Sequence, residues 1–294
     1  MKQPRIALPD QGQIAGAQSV SRALGLLPLL GRNPVHGMGI GEIVEETGLS
    51  RPTARRLLLS LMYSGMVDQD PQTKCYMLGE EIYLLGSLAA QRFGLLDVAH
   101  DSVQRLAEAT GDTAFLSVRR DVFALCVHKE EGDFPIRVQA LQVGYRHPLG
   151  VGAGSLSILA ALDDDEVEEI LEQNARLLAE DYPRASVPAL RDAVAQTRER
   201  GWALNPGMVL ANSWAIGRAI RMPDGHAVGA LSVAAIDSRM SPDRQHEIAA
   251  RIAEAVEQVE SRLARRHGAG HGSNIRPRDS AQAPKSGSRP RHSA

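Results

Sequence analysis

Two cysteines, Cys75 and Cys126, are all that the 294 residues contain, and they stand too far apart for a metal or redox motif. That argues against a disulfide scaffold and against a zinc site. Apolar runs are short as well, none approaching the roughly 20 residues that a membrane-spanning helix needs. The first sixteen residues mix Pro, Gln, Gly and charges, without the apolar heart of a signal peptide. A cytoplasmic location with no membrane partner is expected. An excess of one charge is missing too. Formal net charge is −2, which excludes a generally basic nucleic-acid coat, so any DNA contact must come from a local cluster. Catalytic signatures are equally absent: there is no G-x-S-x-G, no H-E-x-x-H and no G-K-[ST] loop. No catalytic residue is assigned. His100, His128 and His147 are scattered along the chain and read as surface or core histidines, with no metal and no cofactor expected.

What is present reads as two folded units. Hydrophobic residues make up 43% and charged residues 23%, the balance of an ordinary globular protein, and the length suits two domains. Apolar positions at Val20, Ala23, Leu24, Leu27 and Leu30 form a helical stripe over 19–30. A shorter stripe at Ile40, Ile43, Val44 and Thr47 stops at Gly48, a natural helix end. Ser50 then caps a helix over 51–63 that buries Ala54, Leu57, Leu58 and Leu61 and leaves Arg51, Arg55 and Arg56 outward. Two extended pieces, 66–69 and 74–78, flank the turn Asp70-Pro71-Gln72-Thr73. Helix, helix, tight turn, helix, hairpin is the order of a winged helix-turn-helix.

Beyond it, Ile82, Leu85, Leu88 and Ala89 give a linker helix an apolar face, and a further helix runs to Thr110-Gly111. Strands are expected at 113–118, 122–128, 136–141, 214–222 and 227–235, the last two joined by Pro223-Asp224-Gly225-His226. A Gly-rich loop at 150–154 opens a helix through Leu162. Helices follow near 166–173 and 188–200, and a last one starts at Ser241-Pro242. The run Asp163-Asp164-Asp165-Glu166 suits a helix start, where the dipole favours negative charge. Strands and helices around one antiparallel sheet make an α+β unit. The expected partition is a flexible N-terminus (1–16), the winged domain (17–79), a linker helix (80–93), a C-terminal domain (94–266) and a disordered tail (267–294). The tail is rich in Gly, Ser, Pro, Arg and His and has no apolar pattern.

Several stretches carry a family likeness. They are Gln18-Ser19-Val20-Ser21-Arg22-Ala23-Leu24, Glu42-Ile43, Thr47-Gly48-Leu49-Ser50-Arg51-Pro52-Thr53, Arg56-Leu57-Leu58 and Tyr76-Met77-Leu78-Gly79 in the first half. Arg146-His147-Pro148-Leu149, Gly201-Trp202-Ala203 and Gly229-Ala230-Leu231-Ser232-Val233 carry it in the second. By their order and spacing the chain resembles the IclR family of bacterial regulators over about residues 17–266. The resemblance implies a GAF-like effector domain, dimers or tetramers, and repression or activation tuned by a small organic effector.

The candidate DNA contacts are Ser50, Arg51, Thr53, Arg55 and Arg56 at the start of the recognition helix, Thr73 and Lys74 at the wing tip, and Arg22 on the first helix. Arginine can make bidentate bonds to guanine, and Ser or Thr can reach base or phosphate. A solvated basic face is the plain alternative; its place between a matched second helix and a hairpin favours DNA. Arg56 matches an arginine that recurs in the family, whereas the position of Arg55 varies and would set sequence preference. Arg22 is as readily a structural salt-bridge partner.

The candidate effector residues are Leu149, Ala153, Gly154 and Ser155 at the Gly-rich helix start, with Asn205, Ala215, Ser232 and Ala234 opposite. Free N–H groups at a helix start can hold a carboxylate. The spacing is G-x-G-x-G, not the dinucleotide G-x-G-x-x-G, and no strand is expected to lead into it through His147-Pro148. The family usually shows T-A-x-G-K here, so the loop departs from it. By the same resemblance, the position of Asn205 often holds an aspartate and that of Ala234 a hydroxyl. Their loss favours a less polar, aromatic or longer ligand over a very small keto acid; the plain alternative is that these residues simply pack. Arg218 should face away from Ala215 and Gly217, as an interface or surface residue, and Trp214 should be core. The expectation is therefore a sequence-specific regulator that binds a double-stranded DNA operator as a homodimer or dimer of dimers, modulated by an effector. The competing readings are a ligand-independent regulator with a collapsed sensor pocket, and a small-molecule enzyme whose helix-turn-helix is an oligomerisation module.

Overall fold

The computed structural model describes residues 17–136 and 141–269. The expected flexible N-terminus, nearly all of the tail and most of the strand expected at 136–141 lie outside the described residues.

Helix α1 (Gln18–Leu30) is followed by α2 (Ile40–Thr47), α3 (Arg51–Tyr63) and a hairpin of β1 (Val67–Gln69) and β2 (Tyr76–Leu78). The α2 start is closed by Glu42, whose carboxylate accepts from the Gly39 N–H at 2.7 Å, and its end by Gly48 in the left-handed conformation (φ 67°). Ser50 caps α3. The apolar stripes meet as expected: Leu26, Leu29, Leu30, Ile43, Ala54, Leu57, Leu58 and Leu61 form one core with Val67 and Tyr76. Tyr76 also exchanges two backbone hydrogen bonds with Met38, at 2.9 and 2.8 Å, which ties the wing to the segment before α2. The wing is thus fastened at its base, and only its tip is free.

Helix α4 (Glu80–Phe93) leads through Gly94 into α5 (Leu95–Thr110). The C-terminal unit is built on a six-stranded antiparallel sheet in the order β5-β4-β3-β8-β7-β6. Its strands are β3 (Thr113–Arg120), β4 (Phe123–Glu130), β5 (Arg146–Pro148), β6 (Ala203–Pro206), β7 (Ser213–Arg221) and β8 (Ala227–Ile236). Side chains alternate along each strand, so the sheet has two apolar faces. One packs on α6 (Ala153–Ala160), α7 (Asp164–Asp181) and α8 (Val187–Arg200), through residues such as Phe115, Cys126, Leu156 and Leu190. The other packs on α5 and α9 (Pro242–Ala269), through Leu116, Ile216, Leu231, Ile252 and Val256. No helix among the described residues is long and apolar enough to cross a membrane.

The α+β reading holds, with four adjustments. The helix after the Gly-rich loop ends at Ala160 rather than Leu162, and α7 runs well past 166–173. A strand, β5, does lead into the Gly-rich loop through His147-Pro148, against the expectation that none would. And β6 is a strand that no stripe announced. Both unannounced strands are short, lie at the two edges of the sheet and contain a proline, which cannot donate to a ladder and is tolerated only there. The acidic run behaves as expected: Asp163 accepts from the Glu166 N–H at 2.9 Å and starts α7.

Two contacts hold the layers in register. Asp112, buried at the start of β3, accepts from Arg239 at 2.8 Å and faces Arg244 at 3.4 Å, tying the sheet to the start of α9. On the opposite face α6 lies directly on β7: a Cβ added at Gly217 would stand 2.6 Å from the Ala153 backbone. Overpacking of this kind typically costs about 1–3 kcal/mol. Gly217→Ala should therefore lower the melting temperature of the C-terminal unit, followed by circular dichroism; an unchanged transition would refute the contact.

Candidate functional site

At the start of α3 the side chains sort by what they touch. Ser50 Oγ lies 2.8 Å from Thr53 Oγ1 and accepts from the Thr53 N–H at 3.4 Å, so these two hydroxyls mainly close the helix end on each other. Arg51 and Arg55 are four residues apart, hence neighbours on one face; both are exposed, as is Arg56. None of the three makes an ion pair with a described residue, in contrast to Arg32, which bridges to Glu46 on α2 at 3.4 Å. Ala54, Leu57 and Leu58 anchor the other side of the helix. Three unneutralised guanidinium groups therefore project from a rigid helix start. Arg22 is exposed on α1, also without an ion pair to a described residue.

The wing tip is organised by one carboxylate. Asp70 Oδ1 accepts from the N–H groups of Gln72 (2.8 Å) and Thr73 (2.6 Å) and from the Thr73 hydroxyl (3.0 Å). Thr73 Oγ1 in turn accepts from the Cys75 N–H at 3.3 Å, so Thr73 holds the turn together. Lys74 sits exposed with φ 60°, and its carbonyl accepts from Gln69 Nε2 at 2.9 Å. The strained backbone is held on both sides while the ammonium points to solvent.

The effector candidates converge on the α6 face of the sheet. Asn205, Ala215, Ala234 and Thr113 lie opposite one another on β6, β7, β8 and β3, one continuous cross-strand row. Gly217 and Ser232 form part of the next row on the same face. Above them lies the α6 start: a Cβ on Gly154 would stand 3.2 Å from Ser232 Oγ, and one on Gly152 4.0 Å from Asn205 Nδ2 and from Val209. All eight candidates, Leu149, Ala153, Gly154, Ser155, Asn205, Ala215, Ser232 and Ala234, are buried. Ser155 is spent on the loop, donating to the Pro148 carbonyl at 2.9 Å and accepting from the Gly150 N–H at 3.1 Å. Asn205 Oδ1 accepts from the Met208 N–H at 2.8 Å, which leaves its amide NH₂ towards the glycines. Thr113, Met208 and Val209 were missed in the sequence. Thr113 is visible only from strand register, and the other two only from the fold of the loop after β6. Trp214 and Ile216 point to the α5/α9 face, as does Arg218 by alternation, so Trp214 is core as expected.

Cys126 lies on the α6 side of the sheet, and burial pushes its thiol up to about 12. It stays protonated and is no nucleophile.

Comparison with known proteins resolves what this arrangement belongs to. Residues 87–261 match the family pattern described as the bacterial transcriptional regulator IclR C-terminal domain, and residues 19–71 match the IclR helix-turn-helix domain. The chain belongs to the IclR family. As a member it is a DNA-binding transcription regulator with a C-terminal effector-binding domain, and not an enzyme. Among its relatives, the glycerol operon regulatory protein of Streptomyces griseus is 32% identical over 231 residues, covering 77% of this chain and 87% of that one. The crystal structure of a regulator from Alicyclobacillus acidocaldarius has a TM-score of 0.71 at 23% identity, covering 84% of this chain and 98% of the other. An IclR homologue of Microbacterium hydrocarbonoxydans, complexed with 4-hydroxybenzoate, has a TM-score of 0.68 at 19% identity, covering 83% and 98%.

In this IclR-family protein the wing generates a test of its own. The Thr73 and Gln72 N–H groups hold the Asp70 carboxyl below the usual carboxylate range. A lowered value means that the turn gains from ionised Asp70 above the ordinary aspartate pKa, near 4, and loses that gain only as pH falls through the lowered one. Wing order should thus persist from neutrality to below pH ~4. Asp70→Ala should speed amide exchange at Gln72 and Thr73 at neutral pH, with the α3 amides unaffected. Equal protection in the variant would show that Asp70 does not organise the tip.

Proposed function

We propose that Arg51, Arg55 and Arg56, with Ser50 and Thr53, enter the major groove of a double-stranded DNA operator. Lys74 and Thr73 reach the backbone or minor groove from the wing, and Arg22 touches phosphate. The observation that carries this reading is the cluster of exposed arginines on α3, free of ion pairs to described residues, in a chain whose net charge is −2. A local cation cluster on an otherwise acidic molecule selects one docking face.

The same reading gives the C-terminal unit a small organic carboxylate, aromatic in preference, as effector. Its carboxylate is held by N–H groups at the α6 start, and its body lies along the row Asn205, Ala215, Ala234 and Thr113. Two features support this: the row offers amide, hydroxyl and small apolar surface but no carboxylate, and a distant homologue of the same fold is complexed with 4-hydroxybenzoate. The tight seating of α6 on Gly217 favours a second reading, in which the pocket is collapsed and DNA binding is independent of ligand.

Assembly follows from α4. Tyr83, Leu84, Leu85 and Leu88 are all exposed on it, a larger apolar surface than the one-sided stripe expected from sequence. Covering it with a second copy gives a cytoplasmic homodimer or dimer of dimers, with two winged units on a palindromic operator. Since α4 runs through Gly94 into α5, and α5 packs on the sheet, an effector beneath α6 can bias how the linkers are held. Coupling of this kind is typically worth about 1–3 kcal/mol.

Selection of bound duplexes from a random pool at fixed salt should recover a palindromic operator. On that operator Arg55→Ala and Arg56→Ala should each lose about 1–3 kcal/mol of affinity, the scale of one bidentate base contact. Wild-type affinity in both would remove α3 from the interface. Thermal shift with 4-hydroxybenzoate and small keto acids separates the two readings of the pocket, since a ligand of the folded state must raise its melting temperature. A rise with the benzoate supports the sensor, and no rise with any acid supports the collapsed pocket.

A further inference from the structure

Histidines that look scattered in the sequence meet in the fold. His100 lies on α5, and His128 and Glu130 lie two residues apart on β4, so the two strand side chains share one face of the sheet. Their partners on β3, Leu116 and Ala114, belong to the core facing α5 and α9, which fixes that face as the one α5 covers. The His100 and His128 rings are 4.7 Å apart between centroids, tilted by 32°. One ligand atom from each of His100, His128 and Glu130 can be chosen so that all three lie within 4.8 Å of one another.

One polar atom of the cluster is left without a hydrogen bond. His128 Nε2 is buried and makes no hydrogen bond. Glu130 Oε1 stands 2.9 Å from it, but off the direction a ring N–H requires. Buried polar atoms in native proteins are nearly always satisfied, and His128 Nε2 has an ion-pair contact with Glu130 but no hydrogen bond, which leaves its lone pair available to a ligand. A cation between the three groups can accept it.

We propose that His100, His128 and Glu130 bind one divalent cation of the zinc class. Two imidazoles and one carboxylate select zinc, cobalt or nickel over magnesium and calcium, which prefer all-oxygen sets. Three protein ligands leave a fourth position of a tetrahedral site, and the half-exposed His100 side chain leaves that position open to water. Ligand atoms around one zinc sit about 3.3–3.5 Å apart, from bonds of about 2.0–2.2 Å, so binding asks the widest pair, within 4.8 Å, to close by up to about 1.5 Å. Asp101 Oδ1 lies 3.7 Å from His100 Nδ1, beyond hydrogen-bond distance, and adds negative charge beside the site. Such an ion bolts α5 to β4 six residues into the helix that follows the linker. It lies on the sheet face opposite the candidate effector row and shares no residue with it.

The test uses the full chain stripped with a chelator, then titrated with zinc against a chromophoric competitor and with cobalt by visible absorption. One tight equivalent per chain is expected, with tetrahedral cobalt absorption and a higher melting temperature when zinc is present. His100 is exposed, so His100→Ala should melt like the wild type in chelator, yet bind zinc at least 10–100-fold more weakly, the loss typical even of outer-shell changes. Glu130→Gln should weaken binding in the same direction. His226→Ala, which removes an exposed histidine outside the cluster, should bind like the wild type. Undiminished affinity in His100→Ala and Glu130→Gln would place any bound metal elsewhere, for example on His267 or His271, and overturn the assignment. No tight equivalent in the wild type would overturn it outright.

Discussion

The first turn of α6 lies so close to the sheet that glycine stands on both sides of the approach, Gly217 on β7 and Gly154 on α6. Gly217 faces the Ala153 backbone, and Gly154 faces Ser232 and Ala230. Much of the C-terminal unit depends on this approach. It brings the first turn of a short buried helix, whose leading N–H groups have no intrahelical acceptor, onto β7 and β8. It forces small residues, Ala215, Ala230 and Ala234, onto the strands beneath. And it requires the chain to enter from an edge strand, since β5 must end at Pro148 just before Leu149 drops into the core. A larger residue at any of these places would lift the helix and open the sheet face to water.

The winged unit rests on a different economy of charge. Its arginines are divided between structure and solvent: Arg32 is paired with Glu46 across the α1–α2 corner, whereas Arg51, Arg55 and Arg56 have no such partner among the described residues. An ion pair on α3 would have made those charges cheaper to fold and useless for a polyanion. The wing differs: Asp70 Oδ1 accepts from backbone and hydroxyl donors in its own turn, and the charge of the same carboxylate also acts on Lys74 beside it.

How much of this could be read from the residues varies with the distance over which each feature is determined. The helix-turn-helix was readable almost to the residue, because stripe, N-cap Ser50 and stop Gly48 are all local signals. The long strands β7 and β8 announced themselves through Pro223-Asp224-Gly225-His226 between two apolar runs. Edge strands β5 and β6 did not, since three or four residues with a proline have no periodicity, and only pairing with β4 and β7 makes them strands. The candidate effector residues at the Gly-rich helix start came from pattern, whereas Asn205, Ser232 and Ala234 leaned on a family likeness. Thr113 joins their row only through the register of β3 on β8. The meeting of His100 and His128 is less visible still, because their 28-residue separation spans a helix, a strand and a turn.

The sheet separates two kinds of chemistry that a regulator has reason to keep apart. On the α6 side lie small, neutral groups beneath a helix start, the place the proposed function gives to the effector, with Met208 and Val209 packed beside them. On the other side lie α5 and α9, joined to the sheet by large apolar residues and by the pairing of Asp112 with Arg239 and Arg244. Because β3 and β8 contribute to both faces, with Thr113, Phe115 and Ser232 on one and Ala114, Leu116 and Leu231 on the other, a shift of the central strands cannot be confined to one layer. Close-packed interiors move between discrete arrangements rather than deform continuously. Under the effector site proposed above, a change beneath α6 would reach α5, and with it Gly94 and the linker, by displacement of shared strands. No dedicated chain of contacts is needed.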